Sequence, residues 1–477
     1  MQFNTVAYIA FLLVVVVGYY SAARTYSRQR LLILIGSACF YAFWSAIFLA
    51  HLVGMLLFNY WISVHILNAA RNIAKRRLLV LGITVNLGNL FVFKYAGLAV
   101  ATSNDLMKFL GWSDLLLPKI TVFLPLAISF YTFSVISYLV DIYRDQQVRA
   151  SGPLDFLFYA MFFPHLIAGP ILRKHEFFPQ CGNKTLVWHN IRYGTERILI
   201  GLFQKAVIAD NLAIIVDHGY GKYSALSMAE MYVVLLAYSF QIFFDFAGYT
   251  AIAIGSARIF GYVFPENFNT PYVGANISDF WRRWHMTLSR WIRDYIYIPL
   301  GGSRGSKLRA QVNLLVTMGL AGLWHGASWN FAVWGLYHGA GLVIHHWFEE
   351  SKFRRVICQS LPLALYHGIM VLLTFHFVTF GWVLFRARDI STAWGIYEKF
   401  GDWVPSAVTL DPAYLLKSYG FTALLLYGLY VLIAGRPAIR AIFAEAPRRR
   451  AMVYGIALAL ILVLAPLHTD PFIYFRF

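Results

Sequence analysis

Two histidines carry the chemistry available to this sequence: His285 in WRRWHMTLSRW and His325 in GLWHGASWNFAVWG, each set among indoles and apolar side chains. Imidazole exchanges a proton near neutrality, so it can serve as general base towards a hydroxyl or as nucleophile towards an activated carbonyl. A single histidine on an apolar face is ordinarily a hydrogen-bonded core residue. Two of them in tryptophan-rich sequence carry a desolvation cost that a purely structural core avoids. Together they point to a catalytic centre inside a membrane.

The elements that must position them follow from the neighbouring residues. Of the more polar stretches, 101–119, 171–192, 263–309 and 386–417, the third is the richest in chemistry. There Ser278 is expected to cap a helix beginning at Asp279, whose carboxylate suits the positive end of the helix dipole. Trp281, Trp284, His285, Leu288, Trp291, Ile292 and Tyr295 then recur at helical spacing on one face. Asp279, Arg282, Arg283, Met286, Arg290 and Arg293 fall on the other, so the segment reads as an interfacial amphipathic helix with His285 on its buried side. His325 instead closes the apolar run 312–324 and opens the segment Gly326-Ala327-Ser328-Trp329-Asn330. An ionisable side chain there marks a functional site facing a cavity, and small residues at Gly322, Gly326, Ala327 and Gly335 are expected to leave room for a path to it.

Composition sets the class. With 59% hydrophobic and 13% charged residues over 477 positions, and a mean hydropathy of +0.60, the chain has more apolar side chain than a soluble core can hide. It reads as an all-α polytopic membrane protein. Apolar runs lie near 5–21, 31–50, 51–70, 78–100, 120–142, 153–170, 193–216 and 228–250, and again near 311–326, 328–348, 362–385, 418–435 and 451–467. Several are short or interrupted by Gly, Pro or Asn, which predicts about eleven full spans plus short re-entrant and interfacial helices. No linker, repeat or soluble stretch divides the chain, so 1–477 is expected to form one integral-membrane domain.

The formal charge of +18 sits in short loops between apolar runs, as orientation signals do, and no polar basic domain exists to bind nucleic acid. The clusters Arg24/Arg28/Arg30, Arg71/Lys75/Arg76/Arg77 and Arg144/Arg149 are spaced for an even number of crossings and are assigned to the cytoplasmic side, with the N-terminus outside and the first helix retained. Cys39, Cys181 and Cys358 form no metal or disulfide pattern, and the pair His345-His346 has no second ligand pair at helical spacing. No metal site is expected. Gly301-Gly302-Ser303-Arg304-Gly305-Ser306-Lys307 lacks both phosphate-loop and dinucleotide spacing and reads as a flexible basic turn.

With these residues in view, the chain resembles the membrane-bound O-acyltransferase family, and within it the bacterial alginate O-acetyltransferase branch that modifies exopolysaccharides. The matching stretches are FFPHLIAGPILRKHEFFPQ at 162–180, QIFFDFAGYTAIAIGSARIFGY at 241–262, FPENFNTPY at 264–272, SDFWRRWHMTLSRWIRDYIYIPLGG at 278–302, GLWHGASWNFAVWGLYHG at 322–339 and PFIYF at 471–475. The WRRWH block followed about forty residues later by the WHG block is the specific combination. One departure is Ala251, where the family usually carries an acidic residue.

The resemblance implies a helical bundle around a central tunnel, in the inner membrane of a bacterium. It implies an acyl group, most simply acetyl, received from a cytoplasmic thioester and passed across the membrane to an acceptor hydroxyl of a secreted polymer such as alginate or cellulose. His325 maps to the essential WHG histidine and His285 to its partner at the cytoplasmic mouth. Direct transfer with His325 as base and a transient acyl-imidazole both fit. Trp324 and Asn330 are supporting candidates, Asn330 as oxyanion donor or as helix cap. Asp245 is expected to orient a histidine or pair with an arginine, and Arg282, Arg283 and Arg290 to contact donor phosphates or lipid headgroups. His338, thirteen residues beyond His325, is assigned a structural hydrogen bond. No tightly bound cofactor is implied; the donor is acetyl-CoA or an acyl carrier thioester. The partners are periplasmic acetyltransferase or polysaccharide-modification proteins and the lipid bilayer. Two other readings stay open: D-alanyl transfer towards teichoic acid on the same fold, and a lipid or polysaccharide transporter, which leaves the two blocks unexplained.

Overall fold

The computed structural model describes residues 1–401, apart from 23, 121, 146, 148, 151 and 168, together with 447–465 and 471–473. The apolar run at 418–435 and the last two residues of PFIYF, Tyr474 and Phe475, lie outside the described residues.

All regular structure among the described residues is helical. The first three helices, α1 (Val6–Ser21), α2 (Tyr26–Ala42) and α3 (Ala46–Asn68), each begin after a hydroxyl residue, and Thr5, Thr25 and Ser45 accept a hydrogen bond from a backbone N–H of the first turn. Helix α4 (Asn72–Leu90) continues through a π-turn at Phe91–Tyr95 into α5 (Ala96–Phe109), giving one stretch of 38 residues. The run at 120–142 is helical only from α6 (Ile128–Arg144) onward, and that at 153–170 is broken into α7 (Pro153–Met161) and α8 (Phe163–Leu166) beside Pro164. After the short α9 (Lys174–Phe177), α10 (Trp188–Leu202) runs through a second π-turn, Phe203–Ala209, into α11 (Asp210–Gly221), and the 32-residue α12 (Met228–Ile259) returns along it.

The site region comprises α13 (Ile277–Arg283), α14 (Met286–Ile292), α15 (Lys307–His325) and α16 (Trp329–Glu350). Helices α17 (Lys352–Ser360), α18 (Leu363–Arg386), α19 (Ile390–Glu398) and α20 (Pro447–Leu464) complete the described elements. Among the described residues five helical stretches are long and apolar enough to cross a membrane: Ala46–Asn68, Asn72–Phe109, Trp188–Gly221, Met228–Ile259 and Leu363–Arg386. The other described runs are shorter, broken or more polar, α15 and α16 among them.

The segment expected as a single interfacial helix is two. Asn276, not Ser278, caps α13, its Oδ1 accepting from the Asp279 N–H at 2.7 Å, and the helix closes at Trp284. His285 then adopts a left-handed conformation, φ 40°, before α14 begins. The break holds because Asn267 takes over the donors of the new first turn: its carbonyl accepts from the Met286 N–H at 2.9 Å and its side chain from the Thr287 hydroxyl at 2.6 Å. A left-handed residue without a glycine costs of order 1–3 kcal/mol, and such strain concentrates at functional sites. The His285 ring is fully enclosed at this break.

Helices α15 and α16 form a hairpin held at backbone distance. A Cβ on Gly322 would lie 2.1 Å from the Phe331 carbonyl oxygen, and one on Gly335 2.2 Å from that of Met318. Gly326 faces the Phe331 ring, which a Cβ would meet at 2.1 Å. These glycines therefore serve close helix packing rather than an open path, because the hairpin partner already occupies the space they leave.

Candidate active site

The hairpin tip and the α13–α14 break bring three histidines into one aromatic cluster. Trp324 stands between the two histidines singled out above, its ring 6.2 Å from that of His285 and 4.9 Å from that of His325. His325 packs edge-on to Trp334 at 5.1 Å and to Phe385 of α18 at 5.2 Å. His338 lies on the far side of Trp334, 4.8 Å away, and 5.2 Å from Trp281. Thirteen residues separate His325 from His338 in the chain, but the hairpin folds both onto one indole.

Burial distinguishes them. His285 and His338 are fully enclosed, and among the described residues no ring nitrogen of either has a hydrogen-bond partner, so the structural bond assigned to His338 is not formed. His325 is 4% exposed and lines two cavities. The larger, about 560 Å³, reaches His325 past Thr317, Met318 and Ala321 and is rimmed by Arg282, Arg290, Arg293 and Glu266. The smaller, about 240 Å³, is lined by Trp44, Lys94, the chain from Phe123 to Phe130, Ile167, Trp324 and His325. They sit at opposite ends of α6: its first residue, Ile128, lines the smaller cavity, while Arg144 at its end donates to the Asp294 carbonyl beside Arg293. His285, expected at the cytoplasmic mouth, lines neither, because the αL turn drives its ring against Phe246 at 4.7 Å.

The basic clusters gather at the end that holds the arginine rim. Helices α4 and α6 run antiparallel, with Gly82 against Leu139 and Asn89 donating to Tyr131, so the Arg71–Arg77 start of α4 lies level with Arg144. Arg30 pairs with Asp155, just past Arg149, at 2.5 Å. At the rim itself, Arg282 is 3.7 Å from Asp279, Arg290 is 3.5 Å from Glu176, and Arg293 is 2.7 Å from Asp294. Burial alone would raise the Asp294 carboxyl, but hydrogen bonds from Arg293 and Arg173 overcome it and hold it below the ordinary carboxylate range. Arg283 is engaged elsewhere, bound to Asp279 at 3.0 Å and to the Asn269 carbonyl, and does not line the cavity.

Two supporting residues stand in other places than their sequence context suggested. Among the described residues Asp245 neither orients a histidine nor meets an arginine. It pairs with Lys205 at 2.5 Å, in a cluster completed by Asp210 at 2.6 Å, and accepts from the Ile473 N–H at 2.8 Å. The neighbouring Phe246 packs on His285, so the α12 backbone points the carboxylate away from the site. Asn330 donates its side-chain N–H to the Ala387 carbonyl at 2.9 Å, a tether to the end of α18, while Ser328 caps the α16 N-terminus by accepting from the Asn330 N–H. Among the described residues no group of three His, Cys, Asp or Glu side chains is placed to hold a metal ion.

Several cavity-lining residues escape a reading of the sequence, notably Lys94, Thr317, Met318 and Phe130. Only Lys94 left a signal: it is a lone charge inside the apolar run FVFKYAGLAV.

With the geometry in place, similarity to known proteins becomes informative. The family model for the membrane-bound O-acyltransferase family matches residues 132–360, which contain both cavity-facing blocks. The chain is 39% identical over 408 residues to a probable alginate O-acetylase, AlgI, of Pseudomonas aeruginosa, covering 84% of this chain and 76% of that protein. It is 38% identical over 423 residues to a peptidoglycan O-acetyltransferase of Helicobacter pylori, covering 82% and 78%. It is 32% identical over 280 residues to a teichoic acid D-alanyltransferase of Bacillus subtilis, covering 55% and 69%. An all-helical membrane chain with these relatives, and with the WRRWH and WHG blocks meeting across Trp324, belongs to the membrane-bound O-acyltransferase family and is an O-acyltransferase.

Proposed function

We propose that this protein takes an acetyl group from a thioester donor entering the arginine-rimmed cavity and delivers it to an acceptor hydroxyl in the Lys94-lined cavity, in the O-acetylation of a secreted polysaccharide such as alginate or cellulose. The observation that carries the reading is that His325 lines both cavities, which lie at opposite ends of α6. Cytoplasmic arginines would place the donor side inside and the acceptor side in the periplasm, in a bacterial inner membrane. Arg282, Arg290 and Arg293 suit the phosphates of acetyl-CoA or of a carrier-borne phosphopantetheine arm, and the apolar walls beyond them suit the arm itself. Periplasmic polysaccharide-modification proteins are the natural recipients. The acetyl cargo is favoured over D-alanine by the longer match to O-acetyltransferases than to the D-alanyltransferase.

At His325 the chemistry takes one of two forms. The imidazole removes the acceptor hydroxyl proton as its oxygen attacks the thioester carbonyl, and the thiol leaves with a proton. Alternatively the imidazole itself attacks, releases the thiol, and yields an acetyl-imidazole that the acceptor then opens. Trp324 and Trp334 hold the ring in place from two sides, which restricts it to the line between the cavities.

The test is transfer of labelled acetyl from acetyl-CoA by membranes containing the protein, and polymer-bound acetyl in a deletion strain carrying the gene. His325→Gln should abolish both at unchanged membrane level. Label trapped on wild-type protein, sensitive to hydroxylamine and absent from His325→Gln, would select the acetyl-imidazole route. Full activity of His325→Gln would sink the assignment.

A further inference from the structure

A half-buried charge remains without a role in this account. Lys94 sits on the π-turn Phe91–Tyr95 in the middle of the 38-residue apolar stretch, where a cation is expensive unless it has a function. Its Nζ donates to the Trp324 carbonyl at 2.6 Å and to the His325 carbonyl at 3.1 Å. The adjacent Tyr95 hydroxyl donates to the Leu323 carbonyl at 2.8 Å. Three consecutive carbonyls at the C-terminal end of α15 are thus capped from one neighbouring turn. An α-helix leaves its last carbonyls without intrahelical donors and carries partial negative charge there, so an ammonium is the matching cap. The π-turn adds a residue to the helix and changes its register, which puts consecutive side chains 94 and 95 on the α15 side; such single turns recur at functional sites. Lys94 also lines the smaller cavity together with His325.

We propose that Lys94 is a positioning residue for acyl transfer: by binding the Trp324 and His325 carbonyls it fixes the end of α15, and with it the imidazole, at the junction of the two cavities. This inference rests on His325 being the transfer residue. Its effect falls on the transfer step rather than on donor capture, because Lys94 stands in the cavity opposite the arginine rim. A displaced catalytic group loses rate steeply even when it is chemically intact.

The experiment compares Lys94→Met, Lys94→Arg and His325→Ala in membranes, measuring acetyl transfer against acetyl-CoA concentration together with melting temperature in detergent. Lys94→Met should lower kcat about ten- to hundredfold with the KM for acetyl-CoA within about twofold, at a melting temperature close to wild type. Lys94→Arg, which keeps a cation able to donate to two carbonyls, should recover most of that loss. If Lys94→Met does not insert, Lys94→Gln, neutral but still a donor, is held to the same criteria. Unchanged kcat in the neutral variant overturns the proposal, as does equal loss in the arginine and neutral variants, or a loss that tracks the folded fraction. An active His325→Ala would instead remove the reading on which the proposal rests, and an inactive one beside an unimpaired Lys94→Met would sink this inference alone.

Discussion

Two pairs of helices in this protein bury polar groups behind glycines, and they do so to opposite ends. Along α10 and α12, a Cβ on Gly201 would meet the Gly248 carbonyl at 2.5 Å, one on Gly194 would meet the Gly255 carbonyl at 2.5 Å, and the chain then carries Lys205 on its π-turn between two carboxylates. Along α15 and α16 the glycines bring the backbones equally close, but the side chains at the tip are imidazoles among indoles beside two cavities. In the first pair charge is matched by charge within hydrogen-bond reach, the arrangement expected of a structural cluster. In the second, His325 faces space that a substrate can enter. Full internal partnering versus access to a cavity separates structural from chemical polarity inside a membrane protein.

The sharpest way to break this comparison is at the tip. His325→Gln keeps much of the shape and hydrogen-bonding capacity of the ring, and should lower acetyl transfer by about a hundredfold or more while the melting temperature holds. Retained activity would move His325 to the structural side. The converse experiment is Lys205→Met, which leaves Asp210 and Asp245 buried without their shared cation. It should cost about 3–5 kcal/mol of stability, seen as a lower yield of folded protein in detergent, with near-normal activity per folded molecule. A smaller loss is expected from Gly335→Val, because the added carbons must displace the Met318 carbonyl region. About 1–3 kcal/mol from overpacking should appear as a lower melting temperature, with reduced kcat as the tip shifts. The mildest change is at the rim. Arg290→Gln or Arg293→Gln should raise the KM for acetyl-CoA by about two- to fivefold, more at low ionic strength, with kcat nearly constant. An effect on kcat alone would place those arginines outside donor binding.

The membrane class, the helical build and the family membership carried by the two histidine blocks were legible in the chain because they are recorded in local composition and spacing. Of the face the helical period predicts, Trp284, His285, Leu288, Trp291 and Ile292 are buried, while Trp281 and Tyr295 are half-buried. The break inside that segment was not legible, since it depends on Asn267, some twenty residues earlier, supplying partners to Met286 and Thr287. Asp245 was misassigned for a similar reason: its cation, Lys205, stands forty residues away on a different helix. The glycines beside His325 suggested room, and only the packing of α16 showed that Phe331 and the backbone fill it.

The sequence by itself determined that this protein is a helical membrane acyltransferase with His325 and His285 in its two characteristic blocks, because hydrophobicity, cap residues and motif identity are properties of contiguous residues. Only the tertiary structure decided that His325 stands at the meeting of two cavities while His285 is sealed behind Trp324, and that Lys94 caps the helix ending at His325. Access and long-range hydrogen bonds depend on which helices touch and in what register, and a left-handed residue or a π-turn shifts that register without leaving a periodic trace in the chain.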